Sequence, residues 1–257
     1  MTETATSVST KLEFLVDINQ QEQVDRIQKL LSDQKEIENV NIDLSSKRIV
    51  LNTTLQSSKI QKLIEDSLDT NAILFGTGKS LGAAVSALYS NMNRPLERRV
   101  HGLVRFIQTD DEQCIIEGTV DGLPPNSSAR INIHEYGDLS DGCESCGDYY
   151  NSSSSTFQKS PSEPTGILGH VVTDETGTAD FRLLNRYIQV PDIIGRSFVV
   201  QNSDSQRLAC GIIARSAGIF ENTKRLCTCS GATYFHLQLL LLHRTRHLHW
   251  YERVVHL

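Results

Sequence analysis

The apolar positions in the first third of the chain alternate between strand spacing and helix spacing. Residues 11–17 (KLEFLVD) alternate apolar and polar side chains, which is typical of a strand with one buried face. Two later segments repeat apolar residues every three or four positions, as one face of a helix does. These positions are Val24, Ile27, Leu30 and Leu31 in the first segment, and Ile60, Leu63, Ile64 and Leu68 in the second. Further strands are predicted over 37–44, 48–53 and 71–75.

The order of these elements, strand–helix–strand–strand–helix–strand, is typical of the ferredoxin-like fold, which we predict for residues 11–80. Residues 1–10 are polar, and we expect them to be disordered. We interpret residues 83–88 as a short helix, and the polar stretch around Pro95 has the composition of a linker. The linker is therefore placed at residues 81–99.

From residue 100 onward, the pattern changes to short strand-like runs separated by turn residues. This spacing is typical of an all-β sandwich or barrel, which we place at residues 100–224, so that the whole chain is of the α+β class. The predicted strands cover 100–108, 114–120, 129–135, 178–183, 196–201 and 207–214. Residues 151–166 are rich in serine and predict a polar loop. Residues 225–257 contain neither lysine nor aspartate and form a tail of different composition.

Charge and composition argue against several classes of function for this chain. The 257 residues carry a formal net charge of −6, which argues against a nucleic-acid partner. No apolar run reaches the roughly 20 residues that cross a bilayer, and the polar N-terminus does not have the apolar segment of a signal peptide. We therefore expect a cytoplasmic protein without a membrane span. The chain has six cysteines, and Cys114 is the first of them. In the reducing cytoplasm, cysteines indicate metal or redox chemistry more than a disulfide scaffold.

Three phrases in the second half of the chain resemble known proteins. Residues 131–138 are INIHEYGD, followed by Gly142-Cys143, and residues 207–218 are RLACGIIARSAG. These phrases resemble the copper-ligand strand and the C-terminal cysteine segment of Cu/Zn superoxide dismutases. Cys227-Thr228-Cys229, a CxC motif just after them, narrows the resemblance to the copper chaperones for superoxide dismutase.

The resemblance implies a ferredoxin-like domain, then a Greek-key barrel like that of Cu/Zn superoxide dismutase, then a short tail with the CxC motif. It implies a protein that docks on Cu/Zn superoxide dismutase as a heterodimer, delivers Cu(I) and promotes formation of the dismutase's disulfide. A homodimer through the same barrel is left open. The resemblance implies a metallochaperone and not an enzyme, so no catalytic residue is expected. The one reaction left open is thiol–disulfide exchange with the target.

The N-terminal domain departs from this family at the loop that binds copper. Where the family has Met-x-Cys-x-x-Cys, residues 18–23 are INQQEQ, so Gln20 and Gln23 occupy the two cysteine positions. Cu(I) selects soft thiolates, whereas an amide oxygen is a hard, neutral ligand. We therefore predict that these metal positions are lost and that the domain docks or stabilises instead.

The dismutase-like domain departs from an active dismutase in the same way. His134 matches one copper ligand, but Asn132 replaces its partner. The segment 147–170, which resembles the zinc-binding loop, contains only His170, and Ile167 stands at the position of a zinc-binding aspartate. A zinc site needs four ligands, so we expect neither bound zinc nor dismutase activity. His134 is then either a residual ligand or a packed strand residue.

The remaining cysteines have different predicted roles. Cys143 and Cys210 match the intrasubunit disulfide of the dismutase fold, and the alternative is a pair of free buried thiols. Cys146 would then be a spare thiol, and Cys114 lies in an apolar phrase typical of a core residue.

The CxC motif is the predicted copper site. In an extended strand, residues two apart share a face, so the sulfurs of Cys227 and Cys229 can face one partner. Two thiolates suit Cu(I), which we expect to be held there transiently. Two other functions remain as alternatives: an interaction module that has lost metal transfer, and a superoxide dismutase, against which the missing histidines argue.

Overall fold

The computed structural model describes residues 8–79, 82–90, 99–109, 113–152 and 163–222. Within these ranges, the chain folds into two sheets, a small one near the N-terminus and a large one that follows. The α+β class expected from the sequence is confirmed.

The first domain is a four-stranded antiparallel sheet with two helices packed on one face. Its elements are β1 (Thr10–Val16), α1 (Gln21–Ser32), β2 (Ile37–Asp43), β3 (Arg48–Thr53), α2 (Ser57–Leu68) and β4 (Ala72–Thr77). The strand order is β2-β3-β1-β4, so β4 lies at an edge. The core consists of alternate residues of β1, such as Leu12 and Phe14, packed against Ile27 and Ile60 of the helices. Strand β1 begins at Thr10, inside the stretch expected to be disordered, while residues 1–7 lie outside the described ranges.

The second domain is an eight-stranded antiparallel sheet that curls into a near-closed barrel. Its elements are β5 (Ala83–Tyr89), β6 (His101–Gln108), β7 (Cys114–Asp121), β8 (Ser128–His134), β9 (Ile167–Val172), β10 (Ala179–Asn185), α3 (Val190–Ile193), β11 (Ser197–Gln201) and β12 (Arg207–Arg215). The order β10-β7-β6-β5-β12-β11-β8-β9 contains the non-sequential neighbours of a Greek key, and the two edge strands β9 and β10 lie against each other. Phe106, Phe181 and Phe198 pack together in the core.

The helix expected at residues 83–88 is wrong, because this segment is strand β5. It pairs with β6 on one side and with β12 on the other, so tertiary pairing overrides the helix propensity of its alanines. The large sheet therefore begins inside residues 81–99, which were expected to be a linker, and not at residue 100. Strand β9 and the short helix α3 were not predicted, and most of the serine-rich loop lies outside the described residues.

The two domains meet where α2 begins. Glu117 of β7 is buried, and one of its carboxylate oxygens accepts hydrogen bonds from the Ser57 backbone N–H (3.2 Å) and hydroxyl. Its other oxygen pairs with the Arg182 guanidinium at 2.5 Å. Gln56 Nε2 also donates a hydrogen bond to the Gly118 carbonyl at 3.0 Å. A carboxylate of the barrel thus caps the first turn of a helix in the other domain.

Candidate copper-handling site

A disulfide fixes the loop that follows β8. Cys143 and Cys210 are joined at an S–S distance of 2.05 Å, which ties this loop to β12. The Arg207 side chain reinforces the connection by donating hydrogen bonds to the Cys143 carbonyl (2.6 Å) and the Gly147 carbonyl (2.7 Å). The loop is therefore held by one covalent bond and by a cation that satisfies its backbone oxygens.

The two free cysteines in the described part of the chain are both buried. Cys146 packs in a cluster with Cys143, Cys210 and Val199, and burial raises the pKa of its thiol. Cys114 lies in the barrel core, where burial raises its pKa to about 12. Because the thiolate is the nucleophile and the metal ligand, neither residue is suited to copper transfer.

A hydrogen-bonded network surrounds Asn132 and His134, the two positions that correspond to copper ligands in the resemblance to superoxide dismutases. Asn132 Nδ2 donates to Gln201 Oε1 at 3.0 Å, and the Tyr149 hydroxyl donates to the same oxygen at 3.1 Å. The rings of His134 and Tyr149 lie 4.9 Å apart. His134 Nδ1 lies 2.9 Å from the Gly147 carbonyl, so this nitrogen carries the proton, while its buried Nε2 has no hydrogen-bond partner.

This network differs from a copper site in its chemistry. It offers one imidazole, two amides and a phenol, and burial lowers the pKa of His134. His170 is exposed on β9, and Ile167 lies opposite Asn132 in the sheet. Among the residues that the structure describes, no group of three or more His, Cys, Asp or Glu side chains could hold a metal ion.

Tyr149 and Gln201 belong to this network and were missed in the sequence. A signal was present, because Gln201 is a polar residue at the end of the apolar run SFVVQ of β11, and all five residues of that strand are buried. A buried amide requires a polar partner, and the neighbouring strand β8 carries one in Asn132.

The loop before α1 is closed by its own side chains. Gln23 Oε1 accepts hydrogen bonds from the backbone N–H groups of Asn19 (2.9 Å) and Gln20 (3.2 Å), which caps the helix. Lys47 Nζ donates to Asp17 Oδ1 at 2.5 Å and to Asn19 Oδ1 at 2.8 Å. The loop therefore combines amide oxygens with a bound ammonium group, an arrangement unlike the thiolate pair that Cu(I) prefers.

An exposed apolar face lies beside the disulfide loop. Tyr136 is 57% exposed, Leu139 37% and Ile212 44%. Gly137 follows Tyr136 in the chain and contacts Gly195, and a Cβ added there would collide with the Gly195 carbonyl and lie 3.4 Å from Ile212 Cγ2. The Tyr136 backbone N–H donates a hydrogen bond to the Cys146 carbonyl of the disulfide loop at 3.0 Å. We call Tyr136, Gly137, Leu139 and Ile212 the apolar face.

The tail, residues 225–257, lies outside the described ranges, and with it Cys227 and Cys229. The CxC site therefore stays a prediction. In the part of the chain that the structure does describe, no helix combines the length and the apolar character needed to cross a membrane.

Comparison with known proteins identifies the family of the second domain and relatives of most of the chain. Residues 100–213 match the family described as copper/zinc superoxide dismutase (SODC). The copper chaperone for superoxide dismutase of Rattus norvegicus is 38% identical over 245 residues, which cover 86% of each chain. The chloroplastic/cytosolic copper chaperone for superoxide dismutase of Arabidopsis thaliana is 34% identical over 226 residues, covering 85% of this chain and 67% of that one.

Among solved structures, the clock protein EA4 is 26% identical, with a TM-score of 0.44, and the match covers 54% of this chain and 98% of that chain. The family match and the relatives confirm the resemblance that the INIHEYGD and RLACGIIARSAG phrases indicated. Because the rat relative is matched over 86% of its length, the chain belongs to the copper chaperones for superoxide dismutase.

Proposed function

We propose that this chain, in the cytoplasm, delivers Cu(I) to a Cu/Zn superoxide dismutase through Cys227 and Cys229 and promotes formation of the dismutase's disulfide. The observation that carries the proposal is the division between the two parts of the barrel. Its interior holds a neutral network around Asn132 and Gln201 where copper ligands would be needed, while its surface keeps an exposed apolar face. Such a barrel recognises a partner and performs no dismutation itself.

Docking uses the apolar face. A Cu/Zn superoxide dismutase subunit has the same fold as this barrel, so one such barrel can pair with the other through equivalent surfaces, as in a two-fold dimer. Tyr136 and Ile212 supply the large apolar side chains that anchor such interfaces. Arg207 and the Cys143–Cys210 disulfide fix the loop that carries Tyr136, so the face is formed before the partner arrives.

Copper transfer and disulfide formation both use the CxC thiols. Cu(I) moves from two thiolates to the target's ligands by stepwise ligand exchange, with no change in oxidation state. For the disulfide, the CxC dithiol left after copper transfer is first oxidised by dioxygen, which takes up two electrons and two protons and leaves as hydrogen peroxide. A target thiolate then attacks the CxC disulfide and forms a mixed disulfide. The second target thiol then displaces the CxC sulfur, so the target is oxidised by two electrons and the CxC leaves as a dithiol.

The test is co-incubation of reduced, copper-free dismutase with the Cu(I)-loaded chain, or with its Cys227→Ser, Cys229→Ser and double variants. We expect each variant to form the complex on size exclusion but to activate the dismutase only weakly, because a single variant leaves the copper site one ligand short and the double variant leaves it without a thiolate. A double variant that activates at the unmodified rate contradicts the assigned site. An unmodified chain that docks but never transfers copper identifies a pure interaction module.

A further inference from the structure

The segment that leads to the tail does not end on the barrel. After β12, residues 217–222 run along the edge strand β4 of the N-terminal sheet, and we call them the anchor segment. The Thr77 backbone N–H donates to the Ala217 carbonyl at 3.2 Å, and the Ile219 N–H donates to the Gly78 carbonyl at 3.2 Å. These bonds use the backbone groups that an edge strand otherwise leaves unpaired.

A buried carboxylate holds the same segment. Glu13 of β1 is fully buried, and one of its oxygens pairs with the Arg48 guanidinium. The other, Oε2, accepts a hydrogen bond from the Phe220 backbone N–H at 2.8 Å. A buried charge is stable only when its oxygens have donors, so removal of the anchor segment would leave Oε2 without this donor.

Two glycines allow the close contact. A Cβ on Gly76 would lie 2.6 Å from the Gly218 carbonyl oxygen, and a Cβ on Gly218 would lie 2.8 Å from the Lys79 carbonyl carbon. Asn222 Nδ2 adds a hydrogen bond to the Phe75 carbonyl at 3.4 Å. The backbones therefore approach at a distance that only glycine permits on either side.

Chain length gives this contact a consequence for the CxC motif. Cys227 is five residues beyond Asn222 but twelve beyond Arg215, the last residue of β12. With the anchor segment attached, Cys227 stays within about 18 Å of its attachment point, against about 43 Å if the chain were tethered only at Arg215. The accessible volume thereby shrinks roughly tenfold, which raises the effective concentration of the thiols for a target within reach of the anchor segment.

We propose that the N-terminal domain, which has lost its copper-ligand cysteines, positions the CxC motif for transfer to the docked dismutase, with Glu13 as a positioning residue. This proposal rests on the proposed function. The position is favourable, since the anchor segment begins at Ala217, five residues and therefore at most about 18 Å from Ile212 of the apolar face. The domain thus acts through the place where the tail leaves it, without binding copper.

The test uses two variants of the N-terminal sheet. Glu13→Gln removes the buried charge that holds the anchor segment, and Gly76→Ala adds a Cβ that collides with it. The matched control is Glu38→Gln, at an exposed position of β2. Gly218→Ala disturbs the same contact from the opposite side. In Glu13→Gln, Gly76→Ala and Gly218→Ala, we expect the backbone amides of residues 219 and 220 to lose their protection against hydrogen exchange. Activation of saturating dismutase should fall about tenfold, because the thiols are less often in reach, while the affinity of the complex stays unchanged.

The proposal is overturned if exchange protection is lost while activation at saturation stays the same or becomes faster, or if exchange protection is unchanged in every variant. A uniform loss of complex affinity would instead assign Glu13 a purely structural role and also overturns it. Failure of the proposed function is recognised separately, because then the unmodified chain itself does not activate the dismutase although its anchor segment is protected.

Discussion

At the scale of single residues, the interior of the barrel is defined by polar groups that satisfy one another. Asn132 and Tyr149 both donate to one oxygen of Gln201, so that amide is already occupied. His134 is 1% exposed, and its Nδ1 proton is used by the Gly147 carbonyl. Burial therefore favours the neutral imidazole, because it lowers the pKa of His134.

This burial predicts an acid-sensitive stability. Because the pKa of His134 is lower in the folded state than in the unfolded state, the unfolded state binds more protons below about pH 6.5, so the free energy of unfolding falls as the pH decreases. Denaturant unfolding near pH 7.5 and near pH 5.5 should show this loss, and His134→Gln should reduce it. The control is His170→Gln at an exposed position, and an equal pH dependence in the unmodified chain and His134→Gln would refute the assignment.

At the scale of elements, the two long helices begin in different ways. Helix α1 is capped locally by Gln23, three residues after Gln20, and this arrangement is visible in the sequence. Helix α2 has Gln56 before its first residue, and the carboxylate that caps it comes from Glu117, sixty residues away along the chain. The second cap joins two domains and has no local sequence signal.

We predict that Glu117→Gln destabilises the contact between the domains. The substitution removes a buried negative charge from Arg182 and weakens the cap of α2, which should lower the free energy of unfolding by about 2 kcal/mol or more. Chemical denaturation measures the loss, with Glu175→Gln in an exposed turn as the control. Equal stability of the two variants would show that the Glu117 contacts contribute little.

The loop before α1 gives a gain-of-function test. In a Cys227→Ser/Cys229→Ser background, we expect no Cu(I) to be retained against a competing chelator, since the remaining loop ligands are amides. Adding Gln20→Cys and Gln23→Cys should restore one bound Cu(I), because two thiolates at a helix N-terminus are a suitable site. Copper is counted after desalting, and retention by the background variant would reveal another site.

The sequence predicted the elements whose signals are local and failed where partners are distant. The alternation in β1 and the helical spacing of α1 and α2 were sufficient. The pairing of Cys143 with Cys210, 67 residues apart, was implied by the family resemblance and not by a local signal. Strand β5 was taken for a helix, because its sequence AAVSALY favours a helix until β6 and β12 pair with it. The contact of the anchor segment also could not be predicted from the sequence, since its partners lie in a different domain.

At the scale of the whole molecule, the proposed function assigns recognition and chemistry to separate parts of the chain. The apolar face lies on the barrel around Tyr136 and Ile212, whereas the proposed copper thiols follow the anchor segment on the N-terminal domain. Substitutions in one part should therefore leave the other intact. Such a separation is expected of a carrier that must hold its target first and transfer copper afterwards.

The last prediction concerns the apolar face. Ile212→Arg places a charge where an apolar side chain would be buried by the partner, so we expect its affinity for reduced, copper-free dismutase to fall at least about thirtyfold, the loss typical of a central interface residue. Cu(I) stoichiometry should be unchanged, because an isoleucine side chain is not a copper ligand and Cys227 and Cys229 are left intact. The matched control is Val172→Arg, which alters an equally apolar and even more exposed residue on β9. Affinity is measured by titration and copper content after desalting. If Ile212→Arg binds as tightly as Val172→Arg, docking uses another surface of the barrel, and if both variants lose affinity equally, the effect is one of added charge and not of this face.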